Sequence, residues 1–264
     1  HAHSPVLLIV PEEALDISRT LRSVLGDVEC YEVILGSQNA VLGANRRVVK
    51  RDDRQGLDAA IAELPRMAEV FFLGGVEAAS RSPERRVAWE RALEEGIYSL
   101  FRTVQALLGH GYQERHLTMT VVTTDGHRVE HDDTINPRAA AIHGFVRSMA
   151  KECGQWTVKC VDVRAGELGL RAISEAIVRE PGQRDGREVV LRGAQRYQDV
   201  LLPAEPRWNS RPAFRENSVY LIVGGAGGLG LELALHLART VRASLILIGR
   251  SAASAEHFEK VQRI

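Results

Sequence analysis

The sequence is poor in the residues that several kinds of chemistry require. Only three of its 264 residues are cysteines, Cys30, Cys153 and Cys160. Their number is odd and no two form Cys-x-x-Cys, which argues against a disulfide framework and a zinc cluster. All three lie in apolar-patterned segments and read as small core residues in a reducing compartment. Aromatic residues make up 5%, too few for the stacking platforms that hold single-stranded nucleic acid. Lys+Arg and Asp+Glu are balanced at 34 each, so nothing pulls the chain toward nucleic acid or an acidic membrane. No apolar run reaches the ~18–20 residues that span a bilayer. The opening "HAHSPVLLIV" lacks the basic start and small-residue cleavage site of a secretory signal. GxSxG, HExxH and GKS/GKT are also missing, which removes the common hydrolase, metalloprotease and P-loop signatures. These observations imply a cytoplasmic protein without nucleic-acid or membrane partners.

What is present is an alternation of short apolar runs and amphipathic stretches. "VLLIV" (6–10), "CYEVILG" (30–36), "EVFFLGG" (69–75), "HLTMTVVTT" (116–124) and "TVKCVDV" (157–163) read as buried strands. "RRVVKRDD" reads as a short edge strand, and "EVVLRGAQRYQDVLL" (188–202) as an extended strand or a hairpin around Gly193. Between them lie helical patterns: "EEALDISRTLRSVLG", "GLDAAIAEL", one long helix from about Pro83 to Leu108, "NPRAAAIHGFVRSMAKEC" (136–153) and "GLRAISEAIVRE". Asn136 suits an N-cap and Pro137 a first helical position, where its missing N–H costs nothing. The βαβαβ alternation implies an α/β fold with a mostly parallel sheet covered by helices. The proline-bearing, aperiodic segment 204–217 reads as a linker between a Rossmann-like unit (1–203) and a second unit (218–264).

The second unit opens with "VYLIVGGAGGLGLELALHLARTVRASLILIGRS". Gly225, Gly227 and Gly230 fit GxGxxG after a strand and at the start of a helix, the context that a dinucleotide-binding loop requires. One glycine allows a sharp turn, one lets a pyrophosphate approach the backbone, and one lets helix and strand pack closely. The helix N-terminus adds N–H donors and a positive dipole end. The second strand ends in Gly249, Arg250 and Ser251 rather than in a carboxylate, and an arginine favours a 2′-phosphate. The expected cofactor is NADPH. In the first unit, by contrast, "VLLIV" is followed by Pro11, Glu12 and Glu13. Two carboxylates there suit the helix dipole themselves and would repel a phosphate. That unit reads as a degenerate, structural copy.

Three other features have bland readings. "TTDGHRVEHDDT" (123–134) gathers His127, Glu130, His131, Asp132 and Asp133, but no distant Cys or His completes a metal signature, so it reads as a solvated loop. His143 reads as a packed helix residue. The charge-rich "SRSPERRVAWERALEE" around Trp89 reads as a solvated helix face or a partner surface.

"FRENSVYLIVGGAGGLGLELALHLAR" resembles the entry to the catalytic half of a ketoreductase domain from a modular polyketide synthase, and "INPRAAAIHGFVRSMAKEC", "TVKCVDV" and "VVLRGAQRYQDVLLP" resemble successive parts of that family's structural half, which "AEVFFLGG" matches too. The flavour is closest to synthases whose acyltransferase acts in trans. The resemblance implies a structural Rossmann-like subdomain bracing a short-chain-dehydrogenase subdomain. It implies NADPH-dependent reduction of a β-ketoacyl chain on an acyl carrier protein, beside neighbouring synthase domains. Carried over residue by residue, it places the phosphate loop at Gly225, Gly227, Gly228, Leu229 and Gly230, and the 2′-phosphate contact at Arg250 with Ser251. Val223 stands where the family usually has threonine. The family's catalytic serine, tyrosine, lysine and asparagine lie downstream of the second strand. No tyrosine here is followed four residues later by lysine or asparagine, so no catalytic residue is assigned. The alternative expectation is a noncatalytic pseudo-ketoreductase that supports neighbouring domains.

Overall fold

The computed structural model describes residues 4–76, 86–131, 133–164, 166, 169–181, 185–204, 213–250, 259, 261 and 262. The chain divides into two compact units, His1–Leu201 and Leu202–Ile264. In the first, strands β1 (Val6–Pro11), β2 (Cys30–Gly36), β3 (Ala40–Gly43), β4 (Arg46–Lys50), β5 (Glu69–Gly75), β6 (Leu117–Thr124), β7 (Trp156–Val163), β8 (Glu188–Arg192) and β9 (Gln195–Gln198) form one sheet. Their order is β3-β4-β2-β1-β5-β6-β7-β8-β9. All pairings are parallel except β3 with β4 and β8 with β9, the hairpins at the two edges.

Burial explains the unbroken apolar strands. Along β1, Leu7 and Ile9 point into one core, and Val6, Leu8 and Val10 into another. The first core is closed by α2 (Arg54–Ala62), α4 (Ser99–Gly109) and α5 (Pro137–Glu152), through Leu57, Leu100, Leu107, Ile142 and Val146. The second is closed by α1 (Leu15–Leu25) and α6 (Leu170–Arg179), through Ile17, Leu21, Ile173 and Ile177. A strand buried on both faces has no polar side, so its sequence does not alternate. Each fully buried Leu or Ile contributes roughly 1.5–3 kcal/mol relative to exposure.

Local signals set the helix starts. Asp53 caps α2, its carboxylate accepting from Gly56 N at 2.8 Å. Asn136 caps α5, its Oδ1 accepting from Arg138 N at 3.1 Å, with Pro137 in the first turn. The hairpin around Gly193, which has φ +55°, joins β8 to β9.

Three expectations need correction. "RRVVKRDD" does not form the sheet edge: β4 lies one place in, because the chain before it folds back as β3 and takes the edge. The long helix is not continuous. Helix α3 (Arg86–Leu93) passes into a π-type turn, Glu94–Tyr98, in which Gly96 adopts φ −88° and ψ −106°. Helix α4 follows and ends at Gly109, while residues 83–85 lie outside the described residues. The break lets the chain settle on the end of β5, where a Cβ on Gly74 would stand 2.1 Å from the Glu95 carbonyl oxygen. Cys153 and Cys160 are buried, but Cys30 is only half-buried and its thiol donates to the Val28 carbonyl.

The second unit holds β10 (Val219–Val223), α7 (Gly228–Val241) and β11 (Ser244–Ile248), with β10 and β11 parallel. Ile222, Ala234 and Leu237 form its small core. Among the described residues no helix is long and apolar enough to cross a membrane.

Two glycine substitutions should act with opposite sign. Gly74→Ala forces a backbone clash and should lower the unfolding free energy by about 1–3 kcal/mol. Gly144→Ala, on α5 with open space around it, should raise it by about 0.5–1 kcal/mol. Urea unfolding followed by circular dichroism gives both, and equal effects would contradict the packing described at Gly74.

Candidate functional site

The glycine loop lies between β10 and α7. Gly224 makes the turn with φ +79°, a conformation that side-chain-bearing residues rarely adopt. Its N–H donates to Ile248 O at 2.7 Å, tying the loop to the end of β11. Gly225 and Gly230 are close-approach positions. A Cβ on Gly225 would stand 2.8 Å from Ile222 O, and one on Gly230 would stand 2.4 Å from Gly224 O. Gly228, by contrast, faces open space. Gly227 is the N-cap of α7 and has no side chain to accept from the N–H groups of Gly228, Leu229 and Gly230. The first helical bond runs from Leu231 N to Gly227 O at 2.9 Å. Three first-turn donors and the positive dipole end therefore lack an acceptor from the cap, which is the arrangement that receives phosphate.

The seven sequence-predicted site residues are thus placed as follows. Gly225, Gly227, Gly228, Leu229 and Gly230 line one turn, with Leu229 highly exposed. Arg250 lies exposed just beyond β11. Ser251 lies outside the described residues. Sequence reasoning missed Gly224, the residue that actually carries the turn. The doubled glycine at 224–225 was the available signal.

A second constellation sits in the first unit, at the carboxyl ends of β6, β7 and β8. Asp162 is fully buried and accepts from Thr123 Oγ1 (2.7 Å), Gly126 N (2.8 Å), His127 N (3.3 Å) and Arg192 Nη2 (2.8 Å). The Thr123 hydroxyl has one proton and gives it to Asp162, so at 2.8 Å His143 Nε2 must be the donor to Thr123. The rings of His127 and His143 stack at 4.7 Å and 10°. The solvated-loop expectation over 123–134 holds for Arg128, Glu130, His131 and Thr134, which are exposed, but not for His127, which is drawn in by Asp162 and by Arg192, whose guanidinium donates to the His127 carbonyl at 2.9 Å.

His127, His143 and Glu188 bring potential metal-ligand atoms within 4.8 Å of one another. The geometry does not suit a cation. Stacked rings aim their in-plane lone pairs side by side rather than at one point, and the Arg147 guanidinium already engages both oxygens of Glu188. The constellation is a clamp that ties the loop to three strands. Trp89, on the charge-rich helix, is half-exposed beneath the Arg138 guanidinium, 5.0 Å from the ring centroid.

Comparison with known proteins gives these folds a family. The model described as KR domain matches residues 218–264, and the one described as Beta-ketoacyl synthase-like, N-terminal, matches 68–180. Polyketide synthase ThaG of Burkholderia thailandensis is 34% identical over 202 residues, 76% of this chain and 3% of that synthase. The chain belongs to the ketoreductase domains of modular polyketide synthases.

Two solved structures share the ketoreductase fold. The adenylation, ketoreductase and pseudo-Asub multidomain structure of a keto acid-selecting NRPS module aligns with TM-score 0.81 at 18% identity, over 98% of this chain and 22% of that one. An N-terminal ketoreductase from the macrolactin assembly line aligns with TM-score 0.74 at 20% identity, over 99% of this chain and 52% of that one. The ketoreductase chain thus spans a small part of the curated synthases that it matches, between 3% and 4% of the first three.

Burial holds the His143 imidazole down at about 4, against an ordinary 6.5, with the Asp162 charge opposing and the His127 ring adding to the shift. Folded His143 stays neutral while the unfolded chain takes up a proton below pH ~6.5. The stability that depends on neutral His143 is therefore complete above that pH and is lost as the pH falls toward 4, on the order of 2 kcal/mol between pH 7 and 5. Urea midpoints at the two pH values should differ less in His143→Gln than in the wild type. An unchanged difference would contradict a neutral, buried His143.

Proposed function

We propose that this chain contributes the nucleotide-binding entry of an NADPH-dependent ketoreductase, which reduces the β-keto group of an acyl chain on an acyl carrier protein. The observation that carries this reading is the open first turn of α7 behind two glycines that admit no side chain. Gly225, Gly227, Gly228, Leu229 and Gly230 would cradle the diphosphate through backbone N–H groups. Arg250 would take the 2′-phosphate as a charge-assisted partner, with Ser251 beside it. When bound, the nicotinamide supplies hydride to the carbonyl carbon, and a hydroxyl acid must serve the carbonyl oxygen. Val223 adds no hydroxyl to the loop, so loop geometry rests on the glycines and on the Gly224–Ile248 bond.

The first unit acts in this reading as the brace. Its strands form one sheet with a packed apolar core on each face. The working partners are the carrier protein and neighbouring synthase domains in the cytoplasm. The trans-acyltransferase assignment rests on the flavour of the same motifs.

The Arg250→Ala variant tests the cofactor preference. Removing a charge-assisted bond worth ~1.5–3 kcal/mol should weaken NADPH about tenfold or more, and NADH far less. Fluorescence titration of the polypeptide carrying this sequence reads both affinities. Equal loss for the two nucleotides would refute the 2′-phosphate role.

A further inference from the structure

The crevice of the first unit is already occupied by its own side chains. Strand order reverses at β1, with β2 and β4 on one side and β5 and the later strands on the other. In open parallel sheets that reversal leaves the crevice in which ligands dock, outside the carboxyl ends of the strands. Here Glu12 lies over the end of β2: a Cβ on Gly36 would meet its Oε1 at 2.7 Å. Its Oε2 lies 3.6 Å from Arg51 Nη2. Arg51 Nε donates to the Gly36 carbonyl at 3.2 Å and stands 3.3 Å from Glu95 Oε1. Glu95 belongs to the π-type turn that rests on Gly74 at the end of β5. It pairs with Arg91 Nε at 2.8 Å, and Arg91 pairs in turn with Glu13. One connected network, Glu12–Arg51–Glu95–Arg91–Glu13, thus joins the ends of β1, β2 and β5.

The parts match those of a diphosphate site. Guanidinium forks bind carboxylate and phosphate with the same planar geometry. Glu12 and Glu13 follow β1 directly and precede α1, the chain position that the glycine loop holds in the second unit. The end of β2, where dinucleotide folds carry a ribose-binding side chain, has only Gly36, and Glu12 fills the space.

We propose that Glu12 and Glu13 are a built-in occupant of this crevice. Their two carboxylates stand where a diphosphate would, on Arg51, Arg91 and the entry to α1, and keep nucleotides out. The unit keeps the cationic half of an anion site and supplies the anion from its own chain.

The test is pyrophosphate binding by the full chain, read by titration calorimetry and by the shift in thermal midpoint. The E12Q/E13Q variant keeps the side-chain volume but removes both charges. It should bind pyrophosphate at least tenfold more tightly than the wild type, and E12Q/E13Q/R51Q should lose most of that gain. Any uptake at Gly225–Gly230 is common to all three proteins and cancels, so the result is independent of the proposed cofactor site. A double variant with a native circular dichroism spectrum and no gain over wild type would overturn the proposal. So would a gain that survives R51Q. If the double variant does not fold, the single variant E13Q, which alters a half-exposed residue and removes one of the two carboxylates on Arg91, must show a smaller gain; its absence would equally overturn the proposal.

Discussion

A parallel sheet gathers helix N-termini at one end, and each brings unsatisfied N–H groups and a positive dipole to that end. What supplies the acceptors and the negative charge there governs the rest of this structure. Asp53 and Asn136 cap α2 and α5 with their own side chains. Glu12 and Glu13 stand at the entry to α1. Helix α7 starts at Gly227 with no side-chain acceptor. The first unit meets this demand with its own side chains, whereas the first turn of α7 has no side-chain acceptor from its cap.

The internal solution recurs at the other half of the sheet. Asp162, fully buried at the end of β7, gathers two backbone N–H groups, a threonine hydroxyl and the Arg192 guanidinium. A buried carboxylate is tolerated only when such partners replace water. By doing so it fixes the loop after β6, while burial keeps His143 a neutral donor to Thr123 against the pull of the Asp162 charge. Charge networks thus cover the strand ends on both sides of β1, and the first unit is closed where a related fold would be open.

Most of the fold was legible because its physics is local. A strand buried on both faces reads as an apolar run, and "VLLIV" and "EVFFLGG" became β1 and β5. Asn136 and Pro137 marked a helix start that the structure keeps. The glycine loop was legible for the same reason: each glycine answers a steric demand within a few residues. What escaped depended on distant neighbours. The break at Gly96 exists because the chain must settle on Gly74, which nothing in the helical pattern announces. The His127 loop looked solvated because its partners, Asp162 and Arg192, arrive from β7 and β8. Glu12 and Glu13 were read as a barrier to phosphate. Their cationic partners, Arg51 and Arg91, were invisible until the fold brought them together.

In the proposed reading the turn before α7 receives the nucleotide, while the equivalent turn in the first unit is shut by its own charges. Amide hydrogen exchange of the polypeptide, with and without saturating NADPH, tests it most directly. New protection is expected at the amides of residues 224–231, with those of 12–15 and 36 unchanged. Protection at the end of β1 or β2, with residues 224–231 exchanging as before, would contradict it.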